Sequence, residues 1–188
     1  MRAAREEFRW RRAGRPIPPP HHIKSRALRR AARRYGVRIF VETGTYRGET
    51  VAALAPHFER LYSVELHEGN FSYSRDRFAD DPRITILHGD SAARLRDILD
   101  ELDQPALFWL DAHDSGPGTA AAQVDPIRAE LDALFAHPVR SHVVYIDDAR
   151  SFEGRDGYPT IAELRELCGR EWPDAQFSVV DDVIRIEP

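Results

Sequence analysis

Acidic side chains recur at the ends of short apolar runs in this sequence, and that placement is what could do chemistry. Glu42 closes the run Arg38-Ile39-Phe40-Val41 and opens the turn Thr43-Gly44-Thr45-Tyr46-Arg47-Gly48. An apolar run that breaks into Gly-x-x-x-Gly and then into a helical period reads as strand, tight turn and helix, with the helix N–H groups aimed at a ligand. A pyrophosphate loop would want G-x-G-x-x-G, its second glycine letting the backbone approach the phosphates. Here Tyr46 puts a ring at that position, and Glu42 would repel a pyrophosphate while suiting an ammonium or a hydroxyl. The run Leu61-Tyr62-Ser63-Val64 ends in Glu65, placed to accept from the two hydroxyls of a ribose. Ala106 to Leu110 ends in Asp111, followed by His113 and Asp114, and Val143 to Ile146 ends in Asp147-Asp148. Parallel neighbouring strands set their carboxyl ends side by side, so these acids would converge. Three carboxylates in one crevice repel unless a cation joins them, and a hard divalent ion such as Mg²⁺ would satisfy them. His113, with an ordinary pKa near 6.5, suits proton abstraction at neutral pH.

The segment Glu42-Thr43-Gly44-Thr45-Tyr46-Arg47-Gly48-Glu49-Thr50 resembles the first motif of class I S-adenosylmethionine-dependent methyltransferases, closest to the catechol O-methyltransferase-like, metal-dependent branch. The likeness covers about residues 36–188, because the later acids follow in the family's order. It implies cofactor contacts from Glu42, Thr43, Gly44, Tyr46, Gly48 and Glu65, with Asp90, Ser91 and Asp111 on the adenine and methyl-donor side. It also implies Mg²⁺ on Asp111, Asp147 and Asp148. Where the family carries a catalytic Lys three residues after the first metal Asp, this chain has Asp114, with His113 just before it. The resemblance therefore leaves two options open: His113 as the base with Asp111 beside it, or a different substrate.

The elements that must position these residues alternate. Short apolar runs at 38–42, 61–65, 84–87, 106–111 and 143–146 are separated by helical periods at 50–58, 70–79, after Ser91, and 124–136. That alternation predicts a mostly parallel sheet with helices on both faces. Thr160 with Glu163 forms a capping box ahead of a helix to Cys168. Gln176–Val180, Asp181-Asp182 and Val183–Ile186 read as a closing hairpin. By resemblance the whole is a Rossmann-like, seven-stranded class I methyltransferase fold with a C-terminal antiparallel hairpin. Loops at 113–123 and 150–159 would overhang the crevice, the second offering Arg150, Phe152, Arg155 and Tyr158 as an acceptor wall.

Charge divides the chain of 188 residues. Residues 1–34 hold eleven Arg and Lys24 against Glu6 and Glu7, a balance of +10, so the remainder carries −14 to reach the overall −4. Residues 1–20, ending in Pro16, Pro18, Pro19 and Pro20, are expected to be a basic Pro-rich arm, disordered or loosely helical, ahead of a domain over 21–188. From His22 to Tyr35 the apolar spacing predicts an amphipathic helix. No run approaches the roughly 18–20 apolar residues of a membrane span, and no apolar signal core follows the first arginines, so the expectation is a cytoplasmic protein. Cys168 alone supports no internal disulfide and is read as a helix-packing residue. His21, His22, His57, His67, His88, His137 and His142 lack metal-like spacing and are read as surface or packing residues. The expected partner is a small hydroxylated acceptor, sugar or catechol-like. A nucleic-acid methyltransferase using the basic arm, or a non-catalytic cofactor-binding subunit, stands as the alternative, and arm exchange in a homo-oligomer is open.

Overall fold

The computed structural model describes residues 2–111, 126–155 and 157–188. Seven strands form one sheet in the order β3-β2-β1-β4-β5-β7-β6. They are β1 (Ile39–Thr43), β2 (Arg60–Glu65), β3 (Ile84–His88), β4 (Leu107–Leu110), β5 (Val143–Ile146), β6 (Gln176–Val180) and β7 (Val183–Glu187). The first five pair in parallel, whereas β7 runs antiparallel to both β5 and β6. This is the seven-stranded layout with a C-terminal hairpin that the family resemblance implies. The hairpin turn needs two residues at positive φ, and Asp181 (53°) and Asp182 (64°) supply them.

The helices are α1 (Arg2–Arg12), α2 (His21–Tyr35), α3 (Glu49–Leu54), α4 (Glu68–Arg77), α5 (Ser91–Asp100), α6 (Pro126–Ala136) and α7 (Ile161–Glu171). The central strands β1, β4 and β5 are buried at every position because both faces are covered. Val41, Phe108, Leu110, Val144 and Ile146 pack beneath α5, α6 and α7, while Phe40, Leu107, Trp109, Val143 and Tyr145 pack beneath α2 and α3. The expected capping box is formed, Thr160 and Glu163 each bonding the other's backbone N–H. Cys168 is buried in the first of these cores, as its helical context suggests. The helix expected over 50–58 is shorter: α3 ends at Leu54 and a 3₁₀ turn over Ala55–His57 takes up Pro56. The start expected for α6 at Val124 lies outside the described residues.

The basic N-terminal stretch is helical and docked. Glu7 pairs with Arg11 and Arg26, Arg15 pairs with Asp181, and the buried Trp10 indole donates to the Pro16 carbonyl at 2.7 Å. At the amino ends of β4 and β5, Ala106 N–H donates to His142 Nδ1 (3.1 Å), so His142 Nε2 donates to His137 Nδ1 (2.9 Å) and His137 Nε2 to the Leu99 carbonyl (3.0 Å). With Nδ1 accepting from Ala106 N–H, the His142 ring is neutral in this arrangement. Burial first, and His137 second, push the His142 pKa down to about 4.

Two predictions follow from the packing. Because the folded His142 pKa lies below its ordinary value near 6.5, the contribution it makes to stability is intact above that value and is lost as pH falls through about 4. A histidine NMR titration should show one ring neutral to about pH 4, with stability declining over the same window. Gly48 has φ +73°, and a Cβ there would sit 2.5 Å from Phe78 Cε2. Gly48→Ala should cost about 2–3 kcal/mol in denaturant unfolding, from left-handed strain plus displacement of the ring.

Candidate active site

The strand tips are hydrogen-bonded to one another, which fixes where the acids end up. Gly44 N–H and Thr45 N–H donate to the Val64 carbonyl at the end of β2 (2.9 and 3.1 Å). Asp111 N–H donates to the Thr43 carbonyl (3.0 Å), and Asp147 N–H to that of Leu110 (3.0 Å). Glu42, Asp111 and Asp147 therefore stand on the successive ends of β1, β4 and β5, with Glu65 on the other side at the end of β2. The sheet order reverses between β1 and β4, the place where open α/β sheets bind ligands.

The β1–β2 half is a preorganised polar cradle. Glu42 is 1% exposed, accepts from Ser63 Oγ at 2.6 Å, and has Thr50 as a second hydrogen-bonding neighbour. Ser63 Oγ in turn lies 2.6 Å from Thr45 Oγ1. Burial, opposed by the Ser63 and Thr50 hydrogen bonds and reinforced by the charges of Asp111 and Glu65, pushes the Glu42 carboxyl up to about 8. Glu65 is also buried, and each of its oxygens already accepts one backbone N–H, from Tyr46 (2.6 Å) and from His67 (2.8 Å). A carboxylate has about four lone-pair directions, so a diol can still be accommodated. Tyr46 holds a left-handed φ of 48° that its side chain disfavours. Its N–H bond to Glu65 and the bond from Ser74 Oγ to its carbonyl (2.8 Å) maintain that turn and leave the ring exposed. Thr43 is fully buried, and its Oγ1 accepts from Asp111 N–H (3.3 Å) at the tip of β4. Asp90 caps α5 by accepting from Ala93 N–H (3.0 Å), and Ser91 begins that helix.

The β4–β5 half opens into a cavity of about 220 Å³ lined by Pro18, His21, Lys24, Thr50, Trp109, Asp111 and Asp147, among others. Lys24 Nζ lies 2.5 Å from Asp147 Oδ2 and 3.6 Å from Asp148 Oδ1. The other Asp147 oxygen accepts Asp148 N–H (2.8 Å), and Asp148 Oδ1 pairs with Arg150 Nη1 (2.9 Å). Burial opposes the Lys24 charge, but the attraction and hydrogen bond of Asp147, with Asp148 and Asp111 behind it, raise its pKa overall. Asp147 is pushed upward by its burial and by Asp111, against the pull of Lys24. Trp109 Nε1 is buried with no hydrogen-bond partner among the described residues.

The divalent-ion site implied by the resemblance does not fit this arrangement. Asp111, Asp147 and Asp148 do share one end of the sheet, but Asp147 and Asp148 already face an ammonium and a guanidinium. No group of three His, Cys, Asp or Glu side chains among the described residues is arranged to hold a metal ion. His113 and Asp114, and the loop expected over 113–123, lie outside the described residues. Lys24 and His21 were missed in the sequence because nothing in helical periodicity says that the first turn of α2 reaches a strand tip. The available signal was that Lys24 is the one lysine among 27 basic residues. The expected acceptor wall is also redistributed. Phe152 is buried against Tyr158, Arg150 is held by Asp148 and Asp182, and Arg155 and Tyr158 line a separate groove beside α6 and α7.

No protein-family model matches the chain, and no curated protein matches it in sequence. Solved structures do match in fold. An O-methyltransferase from Bacillus cereus in complex with SAH aligns with TM-score 0.65 and 16% identity over 94% of this chain and 86% of its own. TomG from Streptomyces achromogenes, an O-methyltransferase involved in tomaymycin synthesis and solved with SAM, aligns at 0.60 and 16% over 95% and 85%. The N-methyltransferase NodS from Bradyrhizobium japonicum WM9 aligns at 0.58 and 14% over 88% and 94%. The chain has the Rossmann-like fold of class I methyltransferases, and many of its structural neighbours are SAM-dependent O-methyltransferases.

A carboxyl whose folded pKa is raised stabilises the fold fully only below its unfolded value, and loses that contribution as pH rises through the folded one. Glu42→Gln should therefore raise Tm, with the gain growing between about pH 5 and pH 8 and level above, on the order of 5–10 °C. Differential scanning calorimetry across that range checks it, and an equal gain at pH 4 would refute the assigned ionisation.

Proposed function

We propose that the protein is an S-adenosylmethionine-dependent O-methyltransferase acting on a small hydroxylated acceptor. The observation that carries this reading is the adjacency, across the β1–β4 reversal, of a buried Glu42/Glu65 cradle and a separate acid- and lysine-lined cavity. The fold alone does not select it, since folds host many activities.

The cofactor would supply an electrophilic methyl on a sulfonium. Glu65 would accept from the ribose hydroxyls, while Asp90 and Ser91 at the mouth of α5 would meet the adenine. The Gly44–Gly48 turn gives the backbone its close approach. Glu42, neutral when the site is empty, would lose its proton as a cationic methionine moiety settles beside it. The acceptor would lie in the cavity between α2 and the tips of β4 and β5, with Asp111 at the boundary between the two sites. Held there, its oxygen would start near contact with the methyl group, the main contribution a two-substrate site makes to rate. His113 keeps the proton-accepting role given by its sequence position, and His21 lines the same cavity. No step is routed through a divalent ion. Pro18 and Pro19 line the cavity too, so in this reading the segment ahead of α2 would form part of the acceptor-site wall.

Calorimetric titration should show SAM and its demethylated product, SAH, binding with one site per chain. Glu65→Ala should weaken both by roughly 10–100-fold, the loss of a charge-assisted pair of hydrogen bonds. Binding of SAM below pH 8 should release a proton, visible as a heat that depends on the buffer's ionisation enthalpy, and Glu42→Gln should abolish that dependence. Absence of SAH binding by the folded wild-type protein refutes the reading.

A further inference from the structure

Acids gathered at strand tips need a counter-charge, and the residues around Asp147 show where this chain finds one. Lys24 is carried on the first turns of α2, an element anchored under the sheet by Leu28, Ala31 and Ala32. From there its side chain, only 15% exposed, reaches Asp147 on β5 and faces Asp148. It also lies over the Trp109 ring, 6.0 Å from the centroid, which favours a cation there. Both acids are thereby engaged, Asp147 by Lys24 and by Asp148 N–H, Asp148 by Arg150 as well. The chain has 26 other basic residues, all arginine, yet a lysine stands at this position. An ammonium is a compact point charge that fits between two carboxylates, whereas a guanidinium needs a planar fork of acceptors.

We propose that the Lys24 ammonium takes the place of a divalent ion in this crevice, so that the resting enzyme binds no metal at Asp147 and Asp148. This rests on the methyl-transfer reading above but is tested separately. Lys24 lines the acceptor cavity beside Trp109, whose indole N–H is buried and has no partner among the described residues. Lys24 gives this cavity one fixed positive charge. The charge is covalently built in, so its strength does not depend on metal supply or on chelators.

The test uses the full chain and Mn²⁺, followed by electron paramagnetic resonance, with SAH calorimetry run in parallel. Wild type is expected to leave Mn²⁺ free up to millimolar concentration. Lys24→Met, which removes the charge while keeping most of the side-chain volume, should bind Mn²⁺ at least about tenfold more tightly than wild type. Asp147→Asn added to Lys24→Met should abolish that gain. Stoichiometric Mn²⁺ binding by wild type that is lost in Asp147→Asn overturns the proposal, as does a folded, SAH-binding Lys24→Met with no gain in Mn²⁺ affinity. Should Lys24→Met fail to fold, Lys24→Gln is read the same way, and the wild-type titration decides by itself. Failure of SAH binding with Mn²⁺ excluded would sink the methyl-transfer reading and leave the lysine assignment standing.

Discussion

Five parallel strands that end in register force their terminal side chains into one crevice, and here four of those ends carry acids. Like charges at such spacing destabilise the folded state unless each is neutralised, paired or hydrogen-bonded. The chain uses all three remedies within a short distance. Glu42 takes a proton, Glu65 accepts two backbone N–H bonds, and Asp147 and Asp148 share a lysine and an arginine. What differs among the acids is therefore not residue type but the solution imposed by the neighbouring element.

That division assigns the two halves of the crevice different work. On the β1–β2 side, hydrogen-bond acceptors are held in place by backbone donors and small hydroxyls, a frame that under the proposed function would meet a nucleoside with a diol and a cationic tail. On the β4–β5 side, α2 and the prolines before it wall a small cavity and bring in the positive charge. The N-terminal helix contributes to this closure through Glu7–Arg26 and Arg15–Asp181, so a stretch that looks like a solubilising tail helps hold the cavity wall. Exposed ion pairs of this kind are individually weak. Trp10, buried and bonded to Pro16, fixes the fold of the arm itself.

The fold was legible because its signals are local. Val41, Leu61, Phe108 and Val144 sit in short apolar runs that only a doubly covered strand tolerates, and Thr160 with Glu163 announces a helix start within four residues. The acids at 42, 65, 111 and 147 could also be read, because ending a strand is a sequence-visible position and parallel strands bring their carboxyl ends to one edge. Element limits shifted where turns took over, by four residues at Pro56, and the expected acceptor wall failed because Phe152 was drawn into the core rather than toward the crevice.

The sequence by itself determined the layered architecture, the glycine turn and which carboxylates share the sheet's carboxyl edge, since periodicity and chain order carry that information. Only the tertiary structure decided what those carboxylates face. Lys24 and Asp147 are 123 positions apart, and no periodicity along the chain encodes the crossing of α2 over the tip of β5. Charge compensation is a property of distance in space, so the lysine that stands where a metal was expected becomes visible only when helix and strand are packed together.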